Sequence, residues 1–152
     1  MEFGTIEREI HIDAAPEVVF EVVSSPEHIR SWWPDDAHYE ATPGSTGDIV
    51  FGDGGADRTV VAFTVVEVRP PTTFSFRWTH PSDQEAAAGN SLLVTFDLRP
   101  SGSGTLLRMT ETGFREMGWE AAVLEAAYRE HVTGWDYFIP RLAPYVATLV
   151  KP

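Results

Sequence analysis

A chain of 152 residues, 43% hydrophobic and 12% aromatic, has the size and composition of one folded domain spanning residues 1–152, and such a domain buries roughly 70% of its unfolded surface. The formal net charge of −12, from 23 acidic against 11 basic residues with no basic cluster, opposes attraction to nucleic acid or to anionic membranes. With no cysteine, the chain cannot form disulfides, use thiolate catalysis or ligate metal through sulfur. Glu2, Glu7 and Glu9 stand where a signal peptide would carry basic and apolar segments. No run approaches the ~20 apolar residues of a membrane span, so the expectation is a cytoplasmic protein without membrane insertion.

Ile6, Ile10 and Ile12 alternate with Glu7, Glu9 and His11 as a strand with one buried face, on which Arg8 is the exception. Pro16 suits the first turn of a short helix whose apolar side is Val19, Phe20, Val22 and Val23. Ser25 is placed to cap a second short helix beginning at Pro26, with Ile29, Trp32 and Trp33 on one side and Pro34 as its end. Asp35, Asp36, Gly44, Gly47, Asp53, Gly54 and Gly55 are turn residues around two short strands, near 37–41 and 48–51. Their spacing lacks the ligand pattern of an EF-hand, which makes a hairpin tip the better reading than a calcium loop.

Residues 59–68 are rich in β-branched side chains, and 73–80 alternate so that Phe74, Phe76, Trp78 and His80 share a face. Strands at 92–99 and 105–112 follow, joined through Pro100, Ser101, Gly102, Ser103 and Gly104 as a hairpin. From 118 to 150, Ala127, His131, Trp135, Phe138, Leu142, Tyr145 and Leu149 recur at steps of three and four, the stripe of a long helix. Pro140 either kinks that helix or starts a second piece of it. Gly134 removes a side chain just before Trp135, and the bare backbone predicts close approach of the sheet there, with Trp135 as a packing residue. The order, one strand, two short helices, six further strands and a terminal helix, predicts an α+β fold with a mostly antiparallel sheet covering the helix.

The run Ala14-Ala15-Pro16-Glu17-Val18-Val19-Phe20, the stretch from Ser25-Pro26-Glu27-His28 to Trp32-Trp33-Pro34, Val68-Arg69-Pro70-Pro71, Thr112-Gly113-Phe114 and Gly134-Trp135 resemble the SRPBCC or START-like superfamily. Within it they most resemble the branch related to the C-terminal domain of the heat-shock-protein ATPase activator. The motifs occur in the right order over nearly the whole chain. The resemblance implies a helix-grip fold, a curved antiparallel sheet of about six or seven strands wrapped around the C-terminal helix with an elongated cavity between them. It also implies a choice among ligand carrier, polyketide cyclase or dehydratase, and co-chaperone, which fold alone does not make. Pro140 and Pro144 depart from the family's uninterrupted helix.

No nucleophile elbow, phosphate loop or metal-ligand spacing is present, and no cofactor is called for. The five histidines are scattered, and four read as surface or capping groups. His131 either presents a ring nitrogen to a ligand from within the helical stripe or sits at its edge, bonded to a strand end. Glu111 shares the parity of Leu107 and Met109, so it faces the interior as a ligand-orienting group or proton donor, or else ends its strand in solvent or paired with Arg77 or Arg108. Glu111, His131 and Tyr137 are the catalytic candidates. Candidates for binding an apolar or aromatic small molecule are Trp32, Trp33, Phe51, Phe63, Phe74, Phe76, Trp78, Phe96, Met109, Glu111, His131 and Phe138, since aromatics fill cores and line pockets alike. The partners expected are that small molecule and, on the co-chaperone reading, a chaperone; the chain is expected to be a monomer or homodimer.

Overall fold

Seven strands, six of them with β-branched or aromatic residues, pair as one antiparallel sheet in the computed structural model, which describes residues 3–52 and 58–150. The strands are β1 (Thr5–Ile12), β2 (Asp36–His38), β3 (Thr46–Phe51), β4 (Thr59–Arg69), β5 (Thr73–Trp78), β6 (Leu92–Ser101) and β7 (Gly104–Thr112), in the spatial order β1-β7-β6-β5-β4-β3-β2. Two short helices, α1 (Pro16–Ser24) and α2 (Pro26–Trp32), carry the chain from one edge strand to the other. Helix α3 (Ala121–Phe138) and helix α4 (Leu142–Leu149) close the chain. A break in pairing between Val65 and Glu67 marks a β-bulge in β4, the kind of defect that bends a sheet around what it covers.

Several local expectations are altered. Pairing in the last hairpin continues to Ser101 opposite Gly104, so its loop is the two residues Gly102 and Ser103, with Gly102 in the left-handed region at φ 60°. Ser25 occupies the N-cap of α2, but its side chain makes no capping bond. The turn residues Asp53, Gly54 and Gly55 lie outside the described residues. At Pro140 the terminal helix divides: Ile139–Arg141 form a 3-10 turn between α3 and α4, because Pro140 has no N–H for the regular ladder. Across that turn the buried line runs through Trp135, Ile139, Leu142 and Val146, leaving Phe138 and Tyr145 half-buried and Leu149 exposed.

Below the helices, Phe63, Phe74, Phe76, Phe96 and Met109 are wholly buried, with the Phe63 and Phe76 rings stacked at 4.2 Å. Trp32, also wholly buried, donates its indole N–H to the Val22 carbonyl at 3.0 Å and so locks α2 to α1. Helix α3 is held more loosely, and Trp135 is its one fully buried residue. The misfit of Arg8 on its strand is explained here. From the inward face of β1 it reaches α3, donating to both carboxylate oxygens of Asp136 at 2.7 and 3.3 Å. Nearby, the Tyr128 hydroxyl donates to the Thr5 carbonyl at 2.7 Å, a second tie between α3 and β1.

The hydrogen bonds from Arg8 hold the Asp136 carboxyl below its ordinary range. A carboxyl depressed by folding contributes stability above its unfolded value and loses it as pH falls through the folded one. Asp136→Asn should therefore lower the unfolding free energy by up to about 1 kcal/mol near neutrality, given how exposed the pair is. In acid, denaturant curves of variant and wild type should converge; an undiminished gap there would mean the ion pair is not the source.

Candidate functional site

The parity of β7 turns Leu107, Met109 and Glu111 inward together, and Glu111 has no exposed surface at all. Neither solvent nor arginine meets it, since Arg108 pairs with Glu7 and Arg77 reaches Ser91. Three N–H donors converge on it instead. The Trp78 indole donates to Oε2 at 2.7 Å and the Trp135 indole to Oε1 at 2.8 Å. His131 Nδ1 lies 3.0 and 3.1 Å from the two oxygens. His131 and Trp135 are four apart on α3, hence on one face of it, while Trp78 ends β5. A single carboxylate thus joins a helix to two strands.

Beside this cluster lies a cavity of about 350 Å³ lined by Trp33, Phe51, Thr59, Val61, Trp78, Thr79, Glu130, His131, Gly134, Trp135 and Phe138. Trp33 forms one wall because it precedes Pro34 and leaves the helical conformation, with φ −122° and ψ −92°. Its ring centre lies 4.9 Å from that of Trp78 and 5.0 Å from that of Trp135. Phe51 and Phe138, both half-buried, face each other at 6.2 Å. Thr79, directly after Trp78, is held at φ 68°, a costly conformation for a β-branched residue, and its buried hydroxyl has no partner among the described residues. The grooves of about 560 and 760 Å³ elsewhere have charged residues such as Arg77, Glu116, Asp48 and Glu85 in their lining and no tryptophan or phenylalanine.

The sequence candidates divide cleanly. Trp33, Phe51, Trp78, His131 and Phe138 line the cavity, with Glu111 behind the wall. Trp32, Phe63, Phe74, Phe76, Phe96 and Met109 are wholly buried core residues outside its lining, with Phe76 packed behind Trp33 and Trp78. Tyr137 is 64% exposed and does not join Glu111 and His131; it stacks edge-on against Phe138. The expectation for Gly134 is corrected: a Cβ built there meets nothing within 4 Å, so the glycine leaves space free instead of drawing the sheet close. Trp135 is both buried and part of the cavity wall, with its N–H committed to Glu111. Sequence reading missed Thr59, Val61, Thr79, Glu130, Gly134 and Trp135 as lining. The alternation of β4 links Thr59 and Val61 to Phe63, and helical spacing links Gly134 to His131 and Phe138, so those signals existed.

Among the described residues no three histidine or acidic side chains gather as a metal site, and no helix is long and apolar enough to cross a membrane. The sequence pattern of the family "Activator of Hsp90 ATPase homolog 1-like protein" matches residues 13–147. The chain belongs to this family. No curated protein matches it. Among solved structures, it is similar to protein MLL2253 of Mesorhizobium loti, at 24% identity over 97% of this chain and 99% of that one, with a TM-score of 0.76. The Aha1 dimer of Colwellia psychrerythraea is 20% identical over 93% and 95% of the two chains, with a TM-score of 0.66. DynU16, a protein of the dynemicin biosynthetic locus, is 23% identical with a TM-score of 0.67; the match covers 95% of this chain and 48% of that one. At these identities the neighbours establish the fold.

Replacing Glu111 leaves buried N–H groups without an acceptor, each costing about 1 to 3 kcal/mol. Glu111→Leu, which orphans three, should lose more stability than Glu111→Gln, whose carboxamide oxygen still accepts one. We expect about 3 kcal/mol or more for the leucine variant, with a changed near-UV dichroism of the tryptophans. A leucine variant as stable as wild type would show that the carboxylate organises nothing.

Proposed function

We propose that this protein binds an apolar or aromatic small molecule in the cavity between α3 and the sheet. The observation that carries this reading is the wall itself: Trp33, Phe51, Trp78, Trp135 and Phe138 line an open cavity of about 350 Å³, and Gly134, also in its lining, has open space where a side chain would begin. An engineered apolar cavity of ~150 Å³ already holds benzene, so this volume suits a molecule of two or three rings. Largely apolar enclosure with a few placed polar groups is the usual build of a small-molecule site.

A second reading, an enzyme of the polyketide cyclase or dehydratase type, draws on the Glu111–His131 pair at the cavity wall. A histidine oriented by a buried carboxylate is a common general base. Tyr137 has no part in it. An enolisable bicyclic ketone such as 2-tetralone in deuterated water tests this reading. Exchange of its α-protons should be faster with wild-type protein than with buffer or with His131→Asn, and equal rates would remove the enzyme reading.

Gly134 offers a test of the binding site with little structural cost. Gly134→Ala should raise stability by about 1 kcal/mol through helix propensity, because the added methyl meets no neighbour. Gly134→Phe should fold normally yet abolish uptake of a neutral dye such as 1-aminoanthracene. Undiminished dye uptake by a folded Gly134→Phe would place the bound dye elsewhere.

A further inference from the structure

The ring nitrogens of His131 are not equivalent. Nδ1 lies against a carboxylate that already accepts one indole N–H on each oxygen, and neither indole has anything to accept with. The contact is satisfied when Nδ1 carries a proton and donates its hydrogen bond to Glu111; in the singly protonated ring the lone pair then lies on Nε2. Nε2 has no hydrogen-bond partner among the described residues, and it is absent from the buried orphans, of which the Thr79 hydroxyl is the one present. It is therefore an open acceptor on a ring that lines the cavity and keeps 16% of its side-chain surface exposed. The ring is also held from two sides, 5.3 Å from Trp78 and 5.4 Å from Phe114, so the acceptor's direction is fixed.

We infer that the cavity selects a fused-ring aromatic molecule bearing an acidic hydroxyl, with the rings against Trp33, Trp78 and Trp135 and the hydroxyl donating its hydrogen bond to His131 Nε2. This deepens the small-molecule reading and rests on it. An acceptor flanked by aromatic planes calls for a donor on a planar molecule, and an aryl hydroxyl is a stronger donor than an alkyl one. The charge balance points the same way: Glu130 lines the cavity and Glu111 lies behind its wall with no arginine or lysine in the lining, so an anionic ligand would add a third acidic group without either cation to meet it. Glu111 is then a positioning residue that sets which nitrogen of His131 is protonated, and His131 is the residue that reads the ligand.

The test compares three probes of similar shape: 2-naphthol, 2-methoxynaphthalene and naphthalene. Each is titrated into wild-type protein and into His131→Asn, whose amide N–H can still serve Glu111 while the acceptor at the Nε2 position is gone. Wild type should bind 2-naphthol about tenfold more tightly than the other two, the value of one hydrogen bond. Excited beyond the tryptophan absorption, bound 2-naphthol should emit as naphtholate: its O–H bond breaks in the excited state, an N–H bond forms at Nε2, and the proton returns on decay. In His131→Asn the preference for 2-naphthol over naphthalene and the naphtholate emission should both vanish, whatever change in affinity the three probes share. Equal affinities for the three probes in wild type, with emission from neutral naphthol, would overturn the inference and leave the small-molecule reading standing. If wild type takes up none of the probes and no neutral dye, the small-molecule reading fails and the inference falls with it.

Discussion

A carboxylate with no exposed surface is the constraint on which this structure turns. Desolvating an ion costs several kcal/mol even after the protein relaxes, and without partners Glu111 would unfold its surroundings or give up its charge. Each hydrogen bond to a charged group returns about 1.5 to 3 kcal/mol, so three such donors are enough to hold it. Those donors come from β5 and from two successive turns of α3. The position of α3 over the sheet is therefore tied to a point of charge satisfaction, in a helix whose apolar burial is slight.

That slight burial is what leaves a cavity. Only Trp135 of α3 is fully buried, where an amphipathic helix pressed on a sheet would bury a continuous stripe. The helix is secured at the centre by the Glu111 cluster and toward β1 by Arg8–Asp136 and Tyr128. Between these ties and the Pro140 turn, space remains that packing does not fill. The features that hold it open are unfavourable in themselves: a glycine in mid-helix, a β-branched residue at φ 68°, and a tryptophan outside helical geometry before a proline. Such local costs persist because the surrounding structure over-determines these conformations.

Membership of the family fixes the architecture and leaves the chemistry to the residues of the cavity. The solved neighbours, at 20 to 24% identity, share a sheet and a terminal helix with this chain. The cavity pairs aromatic walls with one imidazole that lies against Glu111. The same tryptophans serve both ends: Trp78 and Trp135 line the cavity while their N–H groups solvate Glu111. Rigid walls follow, since neither indole can rotate without stranding a donor in the interior.

Much of the fold was legible in the sequence because it depends on local pattern: alternation, β-branched content and flanking turn residues marked the seven strands, prolines the two short helices, and steps of three and four the terminal helix. Two ambiguities, Arg8 on a buried face and the helix at Pro140, were also visible as anomalies, and each marked a real departure from the simple pattern. Parity placed Glu111 inside, yet nothing in the order of residues says that positions 78, 111, 131 and 135 share one point in space. Tyr137 shows the converse, a polar aromatic next to the site in sequence that the helix turns into solvent. Gly134 was misread for the same reason, since a missing side chain signals either close approach or empty space, and only the neighbours across the gap distinguish them. Sequence determined which faces are apolar, because that is a property of spacing along one element; the cavity and its oriented histidine were decided by tertiary structure, because they arise where separate elements fail to meet and one buried charge must collect its donors from several of them.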